Sequence, residues 1–288
     1  MCDEFIHQGL VEDSRISRRT FGLLAVTAAS AARAAGTTGA AVGEKDVSIK
    51  TADGVADAVL FTPKKAGSFP AVLMWPDIMG LRPTFRDMGR RLAAEGYVVL
   101  VPNPFYRSKK APVLEGSINF GDPATRELLT GYRKAMTNVA GDAKAYIAFL
   151  DAQPKTSKRR KAGVQGYCMG GSLSFQTAAA NPGRIGAIGS FHGGNGLVTK
   201  EADSPHLLIA KTNAASNWLV LQAQNDDAQQ PQVKDQLKAA FAAAKRKATV
   251  DVYPANHGWC VPGGQAYDAT QAERAWSNLL QLYRVALA

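Results

Sequence analysis

The sequence predicts a single α/β domain with a mostly parallel, doubly wound sheet flanked by helices. Two observations support this prediction: short, continuous apolar runs recur along the chain, and segments with helical spacing separate them. Such runs are typical of strands that are buried on both faces, as in a parallel sheet covered by helices. No internal repeat or low-complexity linker divides the 288 residues. A chain of this length can bury a large core as one domain.

The first half of the domain begins with strands and continues with a strand–helix–strand unit. Residues 44–70 contain two alternating patterns joined by the turn ADG, which predicts a pair of strands. The run AVLMW (71–75) predicts a buried strand, residues 83–95 have helical spacing, and YVVLVP (97–102) predicts the next strand. The long segment 102–122 contains proline and glycine and is predicted to form a lid or a pocket wall.

The second half alternates regularly between helices and strands. Helical patterns are found in the segments AKAYIAFLDAQ, SLSFQTAAANP, VKDQLKAAFAAAKRK and AYDATQAERAWSNLLQLYRVALA. Strand patterns are found in the segments KAGVQGY, IGAIGSF, WLVLQAQ and TVDVYP. Because strands and helices alternate, we expect parallel strands whose carboxyl ends meet at one edge of the sheet.

The composition argues against a nucleic-acid, metal or cofactor protein. The net charge is +10, but the basic run KTSKRRK (155–161) lies between a predicted helix and a predicted strand, without interleaved aromatic residues. It is therefore predicted to be a solvated loop rather than a nucleic-acid site. No HExxH or CxxC spacing occurs, and GYCMGG lacks the Gly-Lys-Ser/Thr ending of a phosphate-binding loop. We expect no metal and no cofactor.

Residues 1–34 are predicted to be an export signal. Arg18 and Arg19 are followed by a short, mildly apolar, alanine-rich stretch and by a small-residue cleavage site that ends at Ala34. Twin arginines with a phenylalanine two positions later resemble the Tat signal, which implies transient contact with the Tat export machinery and a periplasmic protein. A cytoplasmic protein with an N-terminal tail is the alternative. The mature domain would then span residues 35–288, as a monomer without membrane contact.

The segment QGYCMGGSLS (165–174) places a cysteine between a predicted strand and a predicted helix, in the form Gly-x-Cys-x-Gly. Flanking glycines permit a strained turn that lifts the Cys168 side chain above the sheet, as in a nucleophile elbow. The first turn of the following helix favours a thiolate, and the N–H of Met169 would be aimed at an oxyanion. A buried structural cysteine in a glycine-rich turn is the alternative interpretation.

A general base and an orienting acid occur at two further strand ends. His257 follows the last predicted strand, and Asp226 and Asp227 end the strand before it. The order Cys168, Asp226, His257 is that of an α/β-hydrolase triad. The adjacent aspartates leave the position of the acid open by one residue.

The motifs GYCMGG, QND and HGW, together with WPDIMGLRPTFRDMGRRLAAEGYVVLVPNPF, resemble the dienelactone hydrolase family from about residue 45 to the C-terminus. The resemblance implies an α/β-hydrolase fold and a Cys-Asp-His triad that cleaves a lactone or ester through an acyl-enzyme. It assigns Cys168 as nucleophile, His257 as base and Asp226 as orienting acid, with Asp227 as the fallback. The substrate would be a small ester or lactone.

The resemblance also implies further site residues. The loop DIMG matches the family's second oxyanion loop, so the N–H groups of Ile78 and Met169 would form the oxyanion hole. Asp77 stands where family members carry a glutamate that interacts with the resting nucleophile, and it is one methylene shorter. Arg126 matches a carboxylate-binding arginine of the family, with a surface arginine as the alternative. The family's other such arginine, a few residues after the histidine, has no counterpart in HGWCVPGG.

These departures favour a substrate other than dienelactone. Trp259, next to the histidine, is predicted to form an apolar pocket wall, with Phe105 or Tyr132 adding to it. Two other kinds of function remain open. Cys260 lies three residues beyond His257, so a reversible Cys168–Cys260 disulfide could silence the enzyme in an oxidising compartment. A non-catalytic binding protein on the same fold is the other alternative.

Overall fold

The fold is defined by a computed structural model that describes residues 41–114 and 118–288. The predicted signal segment, residues 1–34, lies outside the described residues. Eight strands form one sheet: β1 (Val42–Thr51), β2 (Gly54–Pro63), β3 (Ala71–Trp75), β4 (Val98–Pro102), β5 (Ala162–Tyr167), β6 (Ile185–Phe191), β7 (Asn217–Ala223) and β8 (Lys247–Tyr253). Their order in the sheet is β1-β2-β4-β3-β5-β6-β7-β8.

The sheet is antiparallel at one edge and parallel elsewhere. The predicted hairpin pairs β1 with β2 around a turn that places Thr51 opposite Gly54. β2 also runs antiparallel to β4, whereas all strands from β4 to β8 are parallel to their neighbours. The carboxyl ends of β3, β5, β6, β7 and β8 therefore meet along one edge of the sheet.

Helices cover both faces of this sheet. The α-helices are α1 (Pro83–Ala94), α2 (Pro123–Lys134), α3 (Val139–Asp151), α4 (Met169–Ala180), α5 (Pro205–Leu208), α6 (Gln224–Gln229), α7 (Gln232–Ala243) and α8 (Ala269–Ala286). One core cluster joins α3, α4 and α7 to one face, and a second cluster joins α1 and α8 to the other. Along β3, Leu73 belongs to the first cluster and Val72 and Met74 belong to the second. Alternate side chains of this strand therefore pack into the cores on opposite faces of the sheet.

The predicted architecture, a mostly parallel sheet flanked by helices, is confirmed. Two helices near the site were not predicted. The segment that contains α2 was not assigned a helix, and Asp226 and Asp227 were expected at the end of a strand but lie in the first turn of α6. Across the described part of the chain, no helix combines the length and the hydropathy needed to cross a bilayer.

Candidate active site

Cys168 joins β5 to α4 in a strained turn. Its backbone has φ 53° and ψ −119°, a conformation that a residue with a side chain adopts only when its surroundings enforce it. The flanking glycines are required by close packing. A Cβ atom on Gly166 would lie 1.9 Å from the carbonyl oxygen of Gly170, and one on Gly170 would lie 2.6 Å from the carbonyl oxygens of Trp75 and Pro76.

Two backbone N–H groups, one at the start of α4 and one in the loop after β3, have no acceptor among the described residues. The carbonyl of Cys168 accepts a hydrogen bond from the N–H of Gly171 at 2.9 Å, which closes the first turn of α4. The N–H groups of Met169 and Ile78 donate to no other group among the residues described. Unpaired N–H groups after the carboxyl ends of parallel strands are donors of the kind that stabilise an oxyanion.

His257 and Asp226 form a buried pair at the ends of the two neighbouring strands. Asp226 lies in the first turn of α6, and its Oδ2 is 2.8 Å from Nδ1 of His257. Both side chains are nearly buried, with 12% and 13% of their surfaces exposed. The N–H of His257 also donates to Oδ1 of Asn225 at 2.8 Å, which fixes the loop after β8. Gly194 has φ 56°, and a Cβ atom there would lie 3.2 Å from Oδ2 of Asp226, so this loop needs a glycine.

The adjacent aspartate has a different partner. Oδ1 of Asp227, in α6, accepts a hydrogen bond from Nζ of Lys234, in α7, at 2.8 Å. Asp226, and not Asp227, is therefore the carboxylate that contacts His257.

Burial alone would lower the pKa of His257, but the charge of Cys168 and the hydrogen bond and charge of Asp226 outweigh it and raise the pKa well above its usual value. Nδ1 contacts Asp226, and no group in the described ranges completes a well-aligned hydrogen bond to the buried Nε2. Cys168 raises the pKa of His257 through its charge and, to a smaller extent, through the contact of its side chain with the ring. The ring favours the protonated form when the cysteine beside it is a thiolate.

Asp77 is bound by Arg82 rather than by the cysteine. Its Oδ1 and Oδ2 accept hydrogen bonds from the two terminal nitrogens of Arg82, at 2.6 and 2.8 Å. Oδ1 also accepts the N–H of Met79 at 2.9 Å, and the Asp77 carbonyl accepts the N–H of Gly80 at the same distance. The carboxylate therefore folds the loop that presents the N–H of Ile78.

An apolar cluster borders both free N–H groups. Ile78, Phe105, Val113 and Leu129 are buried together, and Met169 packs against them. The aromatic ring of Tyr132 adds to this cluster, with its centroid 5.5 Å from that of Phe105. The cluster packs the loop after β4 against α2.

Arg126 and Trp259, which were also expected near the substrate, differ in their exposure to solvent. Arg126 is exposed on α2, one turn before the buried Leu129. Trp259 is fully buried, with its ring stacked on Tyr253 at 5.4 Å and edge-on to His192 at 5.0 Å. It therefore supports the rings around His257 from within the core.

His192 is the site residue whose role sequence reasoning missed. It follows β6, is fully buried, and its Nδ1 accepts a hydrogen bond from the N–H of Cys168 at 3.1 Å. Its ring lies edge-on to that of His257, with centroids 5.1 Å apart. The sequence signal was a histidine at the end of a buried strand, directly before two glycines.

Both cysteines of the described region are free and buried. Cys260 borders a cavity of about 130 Å³ between α1 and α8, on the side of the sheet covered by those helices. Burial raises the pKa of Cys260 well above its usual value, so this thiol stays protonated. Over the same part of the chain, no group of three or more His, Cys, Asp or Glu side chains is placed to hold a metal ion.

Comparisons with known proteins agree with this architecture. Residues 56–287 match the model of the dienelactone hydrolase family. An Escherichia coli protein named "Putative carboxymethylenebutenolidase" is 29% identical over 231 residues, which cover 77% of this chain and 79% of that protein. A Synechocystis protein of the same name is 26% identical over 230 residues, covering 79% and 91% of the two chains.

A solved structure has the same fold at lower identity. It is that of a dienelactone hydrolase-like promiscuous phosphotriesterase from metagenomic libraries, with a TM-score of 0.69 and 23% identity. The match covers 86% of this chain and 100% of that one. The chain therefore has the α/β-hydrolase fold that the sequence predicts.

Proposed function

The chain belongs to the dienelactone hydrolase family, and from this premise we propose that it hydrolyses a carboxylic ester or lactone through an acyl-enzyme on Cys168. The observation that carries the proposal is the buried His257–Asp226 pair, whose imidazolium is favoured by the charge of Cys168. A thiolate beside an imidazolium is a nucleophile and a proton donor held together, which is the requirement for acyl transfer.

In the acylation step, the Cys168 thiolate attacks the carbonyl carbon of the substrate. The N–H groups of Ile78 and Met169 receive the negative charge that develops on the carbonyl oxygen, because neither donor has another partner among the described residues. As the tetrahedral intermediate collapses, the C–O bond breaks and His257 protonates the leaving alkoxide. In a lactone the alcohol stays attached to the acyl group as its far end.

In the deacylation step, neutral His257 removes a proton from a water molecule, which attacks the thioester carbon. The second tetrahedral intermediate uses the same two N–H groups and releases the carboxylic acid and the thiolate. Asp226 holds Nδ1 of His257 throughout, so Nε2 is the nitrogen that exchanges protons.

The substrate body is proposed to lie against the apolar cluster of Ile78, Phe105, Val113 and Leu129. Arg82 is engaged by Asp77 through two hydrogen bonds, so it is not available to bind a substrate carboxylate. A neutral ester or lactone therefore fits this pocket better than an anionic one, because burying an unpaired carboxylate is costly.

The experiment compares turnover of p-nitrophenyl acetate by the wild type, Cys168→Ala and Cys260→Ala. We expect the first variant to fall to the background rate and the second to retain turnover, because Cys260 lines the cavity between α1 and α8 and its thiol is not one of the proposed reacting groups. Iodoacetamide labelling should map to Cys168. Equal turnover by the wild type and Cys168→Ala would remove the nucleophile assignment and favour a non-catalytic binding protein.

We further propose that the enzyme works as a monomer in the periplasm after export by the Tat machinery. The support is the sequence of residues 1–34, with Arg18 and Arg19 at its charged start. Replacing both arginines by lysine should retain the protein in the cytoplasmic fraction, and light scattering of the exported form should give the mass of one chain. Unchanged export of the double variant would contradict the Tat assignment.

A further inference from the structure

We propose that His192 is a positioning residue that holds the backbone of the nucleophile and the ring of the base in one arrangement. The inference rests on the proposed function, because it assigns His192 a task in aligning Cys168 with His257. The motif around Cys168 and the Asp226–His257 pair can both form without a histidine at position 192.

The backbone of His192 is held in an uncommon conformation. Its φ is 40°, in the left-handed region that bulky residues rarely adopt, and its N–H donates to the carbonyl of Leu221 at 2.8 Å. Strain of this kind persists where the surrounding structure enforces it, and it gathers at functional sites. Here the strained residue lies at the carboxyl end of β6, beside the equally strained Cys168.

The side chain of His192 binds the backbone of the nucleophile. The N–H of Cys168 donates both to the carbonyl of Phe191 at 3.0 Å and to Nδ1 of His192 at 3.1 Å. An Nδ1 atom that accepts a hydrogen bond carries no proton, so the proton of the neutral ring lies on Nε2. The carbonyl of Phe191 and Nδ1 of His192 thus both hold the N–H group of Cys168 and fix the orientation of its backbone.

The same ring also packs against the base. The centroids of His192 and His257 are 5.1 Å apart and their planes meet at 63°, and the ring of Trp259 also contacts His192, with a centroid distance of 5.0 Å. The ring of Tyr167, on β5, lies 6.0 Å away. The charged partners around this group are therefore His257 and, through it, Asp226 and Cys168.

A neutral His192 is what this arrangement needs. Burial and the charge of His257 hold the pKa of His192 well below its usual value, so the ring keeps its acceptor at Nδ1 when His257 is protonated. Removal of the Nδ1 acceptor leaves the N–H of Cys168 held by the carbonyl of Phe191 alone and loosens the contact between sulfur and imidazole. The thiolate–imidazolium pair is then less well formed, and the thiol reacts only at higher pH.

The experiment uses three substitutions that separate the two nitrogens of the ring. Asparagine places a side-chain oxygen near the position of Nδ1, glutamine places its polar group near Nε2, and phenylalanine keeps the ring without either. For each full-length variant we would measure kcat and KM for p-nitrophenyl acetate, the melting temperature, and the pH profile of iodoacetamide labelling. Peptide mapping assigns the label to Cys168.

We expect His192→Phe to lower kcat by roughly 10- to 100-fold, the effect of a small misplacement of reacting groups, and to move the labelling profile to higher pH. His192→Asn should restore kcat to within about threefold and return the profile, whereas His192→Gln should not. If His192→Phe does not fold, the contrast between asparagine and glutamine still decides the question.

Two results would overturn the inference. One is a phenylalanine variant that lowers the melting temperature but leaves kcat and the labelling profile unchanged, because a structural role alone produces that pattern. The other is rescue by glutamine equal to or better than rescue by asparagine, which would assign the function to Nε2. Either result, with Cys168→Ala still inactive, would leave the proposed hydrolase function standing.

Discussion

Replacing Gly170 by alanine tests whether the two proposed oxyanion donors depend on close packing between α4 and the end of β3. The new Cβ atom would lie 2.6 Å from two backbone carbonyl oxygens, those of Trp75 and Pro76, whereas ordinary contact begins at 3.4 Å. The deficit is about 0.8 Å, and because the obstructing atoms are backbone, no side-chain rotation relieves it. Either α4 or the loop after β3 must move.

Each of those two segments carries one of the proposed donors. Met169 opens α4, and Ile78 lies two residues beyond Pro76, so a shift of either segment changes the distance between their N–H groups. We expect kcat to fall by about 10- to 100-fold, with a smaller change in KM, because the oxyanion forms only in the transition state. Overpacking should also lower the free energy of unfolding by about 1–3 kcal/mol.

The assay is p-nitrophenyl acetate hydrolysis together with urea unfolding, and Gly131→Ala is the matched control. Gly131 lies inside α2, where a Cβ atom would meet nothing within 4 Å. This control should keep its kcat and gain about 0.5–1 kcal/mol of stability, because alanine favours a helix more than glycine does. A Gly170→Ala variant with wild-type kcat would refute the assignment of the two donors.

Three further predictions follow from the same geometry. Asp226→Asn should lower kcat on the order of 10⁴-fold, as amide replacement of a triad acid does, whereas Asp227→Asn should keep its activity and lose at most about 1 kcal/mol; equal losses in the two variants would contradict the pairing. Because the pKa of His257 is raised, its charged form stabilises the fold at low pH, and that stability is lost as pH rises through the raised pKa. An NMR titration should therefore place the His257 midpoint well above its usual value and show it lower in Asp226→Asn, and an unmoved midpoint would exclude the carboxylate as the cause. Since Arg82 is bound to Asp77, p-nitrophenyl butyrate should be hydrolysed with a kcat/KM at least about 10-fold above that of its analogue with a terminal carboxylate. A preference for the anionic ester would show that a cation binds it.

The sheet could be predicted well because its strands carry a strong local signal. The runs 71–75 and 185–191 match β3 and β6 to the residue, since each is a continuous apolar segment with all of its residues buried. The missed helix α2 has the opposite character. It begins with proline, contains an internal glycine and buries only Leu129, so its helical pattern is weak in the sequence.

The site could be predicted in part for a topological reason. Parallel strands bring their carboxyl ends together, which places the loops of Cys168, Asp226 and His257 side by side. The choice between Asp226 and Asp227 needed the structure, because it depends on how α6 turns after β7. The contacts of Asp77 with Arg82 and of His192 with Cys168 also depend on loop backbone that no local sequence rule specifies.

The most direct test of the account is mass spectrometry of the protein quenched during turnover of p-nitrophenyl acetate, with deacylation slowed by the Asp226→Asn substitution. The account predicts one added acetyl group, located by peptide mapping on Cys168, and its disappearance in the double variant that also carries Cys168→Ala. An acetyl group on another residue, or turnover that continues without an acylated cysteine, would contradict the account.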